Sequence, residues 1–130
     1  MNNDTEKSLT ELPSLTTKQI CFEAMKLSDE FGLKVGVSRY KSLEVTQELE
    51  TLTSKIIMEA SNPNGAIIIA KYHDEEVGKK LKAGWRYGND FEPLQHPELL
   101  PFTQLPKNVQ AKALFFRTAV VSLAQFWAAY

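Results

Sequence analysis

Apolar residues recur along the chain at helical intervals, interrupted at a few well-marked points. Ile20, Ala24, Leu27 and Phe31 share one face of a predicted helix over about 17–31. Thr16 with Gln19 makes a capping-box pair at its start, and Gly32 suits the left-handed position beyond its end. A loop over 32–41 follows, carrying Arg39 and Tyr40. Val45, Leu49, Leu52 and Ile56 form the stripe of a second helix over about 43–60, which must stop at Ser61-Asn62-Pro63-Asn64-Gly65. Ile67-Ile68-Ile69 has the β-branching of a short strand, but Ala66, Ala70 and Lys71 beside it favour a helix leading into 75–83. Gly84 ends that helix. Trp85 to Gly88 reads as extended, 89–97 as irregular, and Leu99 to Phe102 as a second short extended piece.

The last helix is predicted to start at Pro106, a favoured first-turn residue, and to run to the end of the sequence. Arg117, Thr118, Ser122 and Gln125 fall in one polar sector of about 140°. The apolar side chains from Phe115 to Tyr130 cover about half a circle, more than the ~100° stripe a surface helix needs. Two arrangements account for the excess. Either residues 113–130 also pack against a second subunit in a homo-oligomer, or this helix is central and wrapped by the other three.

The expected architecture is therefore mainly α, a compact four-helix domain over 15–130 behind a tail of 1–14, with short β segments near Trp85 and Phe102. A chain of 130 residues buries roughly two-thirds of its surface on folding, enough for a core without staples. Fifteen basic against sixteen acidic residues argue against a protein that coats duplex nucleic acid. The one cysteine, Cys21, has no internal partner, which points to a reducing, cytoplasmic setting. With two histidines there are too few ligands for a structural zinc site, and no cofactor or metal is expected. No stretch reads as a membrane span.

Chemistry concentrates between Lys79 and Gly88, where four cations occur without an acid. In an extended backbone Trp85 and Tyr87 face one way and Arg86 the other. Two rings beside cations suit a nucleotide: stacking for the base, charge-assisted hydrogen bonds for phosphoryl oxygens. Glycines at 84 and 88 let a ligand approach the backbone closely. The competing reading is that both rings are core and the lysines merely solvated. His96, held extended by Pro97, is either a ligand contact or a loop tether, while His73 near Asp74, Glu75 and Glu76 reads as a capping or surface group. Cys21 lies on an amphipathic helix without a base, and no serine sits in a nucleophile elbow, so the chain is not expected to be an enzyme.

His73, Lys80, Gly84-Trp85, Tyr87-Gly88, His96-Pro97, Leu99, Pro101, Leu105-Pro106 and Lys112 together resemble the pattern of the ryanodine-receptor repeat (RyR) domain, in its single-domain bacterial and phage form. The resemblance spans about 18–126, with departures at Glu76, Phe102 and Ala113. It implies a compact RyR-type domain with strands around Trp85 and Phe102. It also implies recognition of an ADP-ribose-type or cyclic nucleotide immune signal, and hence a phage sponge acting in the host bacterial cytoplasm against anti-phage defence. On that reading Trp85 and Tyr87 stack on the base, and Lys80, Arg86 and Lys112 neutralise phosphates. His96 donates a hydrogen bond, and Arg39 with Tyr40 closes over the ligand. The alternative is a protein-interaction module using the apolar last helix.

Overall fold

The computed structural model describes residues 16–37, 43–89 and 93–128. The elements are four helices, α1 (Thr17–Lys34), α2 (Gln47–Met58), α3 (Ala66–Lys82) and α4 (Lys107–Ala128). Between α3 and α4 lie two short strands, β1 (Arg86–Tyr87) and β2 (Gln95–His96), and a 3-10 turn at Phe102–Gln104. The domain is mainly helical, as the periodicity predicts. The predicted tail 1–14, Arg39 and Tyr40, and the last two residues lie outside the described residues.

Local chemistry sets most boundaries. The Thr16 hydroxyl accepts from the Gln19 N–H at 3.1 Å while the Gln19 side chain accepts from the Thr16 N–H at 2.8 Å, a closed capping box. α1 runs one turn beyond the predicted stop. Gly32 is inside the helix, and Gly36, at φ +84°, takes the left-handed position instead. The Val37 N–H reaches Gly32 O at 2.8 Å and the Gly36 N–H reaches Leu33 O at 3.4 Å, the paired bonds of a Schellman end. The isoleucine run resolves as helix, so α3 is continuous from Ala66. It ends as predicted at Gly84, φ +97°, with the Trp85 N–H on Lys80 O at 2.9 Å.

The second extended piece is not at Phe102. β2 is Gln95–His96, and Phe102 sits in the 3-10 turn. Two bonds from the middle of α3 account for that turn. His73 Nε2 meets Leu100 O at 2.8 Å and Asp74 Oδ1 accepts the Phe102 N–H at 2.9 Å, drawing the segment into a bend under which Phe102 is buried. His73 is therefore a tether within a helix and not the capping or surface group its neighbours suggest.

α1 and α4 form the spine of the core. Ile20, Cys21, Ala24 and Met25 face Phe116, Ala119 and Val120, with Leu52 and Ile56 of α2 and Phe102 and Leu105 closing the sides. Phe31 stacks on Phe115 with centroids 4.5 Å apart. Leu27, placed on the core face by spacing, is 41 % exposed. The buried face of α1 turns instead through Ser28, Asp29 and Gly32, because it receives a lysine from α4. α3 is peripheral: Ile69 is its one fully buried residue, and Ile68, Ala70 and Tyr72 pack half-buried against the core.

Candidate functional site

β1 and β2 pair in parallel, with Arg86 opposite Gln95 and Tyr87 opposite His96. The ladder is closed by the Arg86 N–H on Leu94 O at 2.9 Å and the Gly88 N–H on His96 O at 3.3 Å. Parallel strands ordinarily need a connection of a dozen or more residues. Here 88–94 suffices because each strand is two residues long. Paired residues in a ladder share a face, so Tyr87 and His96 are together on one side and Arg86 and Gln95 on the other. A Cβ at position 88 would run into the Gln95 side chain, so Gly88 makes room for Gln95 and not for a ligand. Gly84 has open space around it.

The rings are not sealed under the helices. Trp85 is half-buried, with the Lys80 ammonium 4.7 Å from its ring centroid, a cation–π contact. Tyr87 is 60 % exposed. Arg86 is exposed, but its Nη1 donates to Leu81 O at 3.1 Å and Trp85 O at 2.6 Å, placing a positive charge at the carbonyl end of α3. Its guanidinium keeps further donors for an anion. His96 is half-buried, and its Nδ1 accepts the Glu98 N–H at 3.0 Å. A ring nitrogen that accepts carries no proton, so in the neutral imidazole the proton is on Nε2, which is left as a donor.

Lys112 is a correction. Its side chain is sealed in the α1–α4 interface, with Nζ 2.9 Å from Asp29 Oδ1 and side-chain exposures of 4 % and 6 % for the pair. Ser28 Oγ donates to Lys112 O at 3.0 Å, and the lysine stem crosses the face of Gly32, where a Cβ would meet its Cδ at 2.7 Å. An ammonium neutralised by a buried carboxylate is not available to phosphates. Asp29, which the pattern did not single out, is the residue that removes Lys112 from the site. Arg39 and Tyr40 lie outside the described residues. Of the eight expected residues, Lys80, Trp85, Arg86, Tyr87 and His96 are therefore found around the strand pair.

Two grooves lie elsewhere. One of about 770 Å³ is lined by Phe22, Leu43, Val45 and Leu123 together with Lys18, Gln19, Glu23 and Glu44, and one of about 330 Å³ runs between α2 and α3. Neither is lined by Trp85 or Tyr87. Among the described residues no cluster of His, Cys, Asp and Glu could hold a metal ion. None of the described helices is long and apolar enough to cross a membrane. No protein-family model, curated protein or solved structure matches the chain.

Proposed function

We propose that this protein binds a nucleotide-derived small molecule on the strand-pair platform without turning it over. One observation carries the reading: Trp85 and Tyr87 stay accessible beside Lys80 and Arg86 instead of filling the core. A base stacks on a ring, phosphoryl oxygens meet the Lys80 ammonium, the Nε2–H of His96 orients an acceptor on the base or ribose, and Arg86, based on the opposite face, reaches an anion only past the strand edge. Lys112 has no part in it. The residues shared with the RyR pattern support the same reading, and with it membership of that family, an ADP-ribose-type or cyclic nucleotide ligand and a role as a phage-encoded cytoplasmic sponge for an immune signal.

The test is a thermal-shift and tryptophan-fluorescence panel of AMP, ADP, ADP-ribose, cyclic ADP-ribose and cyclic oligonucleotides. A ligand at a thousandfold its dissociation constant adds about 4 kcal/mol of stability, which is roughly 12 °C in Tm for a chain of this size. Trp85→Ala is expected to weaken binding by about 1–3 kcal/mol, the worth of one stacked base. No shift across the panel refutes the proposal. Ligand recovered chemically altered after incubation refutes its non-enzymatic part.

A second reading, a protein-interaction or homo-oligomer surface on α4, is favoured by Phe126, half exposed on the last turns of the helix, and by the groove of mixed apolar and charged lining beside Leu123. Light scattering before and after truncation at Gln125 decides it. A monomer unchanged by truncation removes it.

A further inference from the structure

Leu94 combines two features that fold stability does not call for. It is the only non-glycine residue with positive φ among the described residues, at +60°. It is also 51 % exposed. The left-handed region is unfavourable for a branched side chain and ordinary for glycine or asparagine. After a proline such as Pro93, a left-handed residue closes a tight turn, where glycine is the common choice. Here a leucine occupies the position, and about half of it faces solvent. Its backbone is fixed independently of its side chain, because Leu94 O receives the Arg86 N–H at 2.9 Å. That bond sets the Leu94 backbone directly beside Arg86, the residue between Trp85 and Tyr87.

Strain retained at a position where the side chain gives the core nothing is an observation that argues for use. Resting on the nucleotide reading above, we infer that Leu94 is a ligand-contacting residue: its isobutyl group is the apolar wall against which a planar ring is held on the Trp85–Tyr87 platform. The ligand it fits has a flat, uncharged heteroaromatic portion lying against Leu94 and an anionic portion directed to Lys80. A polyphosphate or a ribose phosphate without a base gives the leucine nothing to contact.

Three variants of the full chain separate this from a structural role, read by thermal melts and by titration with ADP-ribose, AMP and ribose 5-phosphate. Leu94→Gly and Leu94→Asn both accept the left-handed conformation and remove the isobutyl group. Leu94→Met keeps both the strain and the apolar contact. Leu94→Gly is expected to melt about 3 °C higher than the parent, or unchanged, while binding of ADP-ribose or AMP weakens about tenfold. Leu94→Asn is expected to behave likewise and Leu94→Met to bind within twofold of the parent. Ribose 5-phosphate is expected to bind more weakly than AMP and to be indifferent to all three changes. A lower Tm for both Leu94→Gly and Leu94→Asn overturns the inference by making the leucine a packing residue. Undiminished AMP and ADP-ribose binding in those variants overturns it while leaving the nucleotide reading in place. A parent protein that binds no base-containing probe overturns both.

Discussion

Replacing Lys112 by methionine tests how the buried pair works. The ammonium lies 2.9 Å from Asp29, and each side chain is almost wholly hidden from solvent. Methionine keeps an unbranched stem of similar length across Gly32, so the packing that Gly32 permits is retained and the charge alone is lost. Asp29 is then a carboxylate without its counter-ion in the α1–α4 interface. Breaking such a pair from one side costs about 3–5 kcal/mol. A 130-residue domain has a total stability of about 7–20 kcal/mol, so the loss is a large share of the whole. At about 3 °C per kcal/mol the Tm is expected to fall by roughly 9–15 °C. Pairing the change with Asp29→Leu removes the stranded charge, and the double variant is expected to return to within about 1–2 kcal/mol of the parent, since apolar replacements of buried pairs are often neutral or better. Urea unfolding followed by far-ultraviolet circular dichroism gives all four corners of the cycle. A loss under about 1 kcal/mol for the single variant, or no recovery in the double, would falsify the sealed-pair account. So would a Lys112→Met protein that folds normally yet loses a ligand the parent binds, because the lysine would then belong to the recognition surface.

Gly65→Ala discriminates in sign. Gly65 has ordinary helical dihedrals, φ −59° and ψ −24°, and by backbone entropy alone alanine stabilises such a position by about 0.4–1 kcal/mol. The Arg117 guanidinium lies where the new methyl would go, but it is the far end of a flexible side chain and moves aside at low cost, so urea melts are expected to show that gain, reduced at most to zero, whereas a net loss would show the guanidinium to be pinned in place. Burial pushes the Cys21 thiol above its usual 9.0; a hydrogen bond with Thr53 pulls it back and the charge of Glu50 adds to the rise. A thiol whose folded value is raised contributes fully below about pH 9 and loses that contribution as the pH climbs through the folded value. Stability is thus expected to decline from pH 9 upward, more steeply in the parent than in Cys21→Ala, and Ellman's reagent is expected to react only on unfolding.

Features governed by neighbours in sequence were legible, and features governed by distant partners were not. The capping box at Thr16, the stop at Gly84 and the extended Trp85–Gly88 segment each depend on residues within a few positions, and each is found. The partner of Lys112 is a carboxylate at position 29, and nothing around either residue marks them as buried. His73 is similar, since its acceptor is 27 residues away. Gly32 looked like a terminator because glycine usually ends helices. Its actual service, leaving room for a lysine stem from another helix, is visible only once α4 is in place. At the candidate site the ring and cation spacing between Lys80 and Tyr87 was readable as chemistry. Whether those rings faced water depended on α3 being peripheral, which the even mix of apolar and charged residues in 66–82 did not reveal.

α3 buries one side chain fully and carries the strand pair beyond its far end. The strand-pair end of the molecule is consequently an outrigger, fastened by Ile69 with its neighbours Ile68, Ala70 and Tyr72 and by the two bonds from His73 and Asp74, while the load of the fold rests on α1 and α4. An outrigger of this kind opens locally at lower cost than the hull. Substitutions around the strand pair are thereby expected to leave the keel intact.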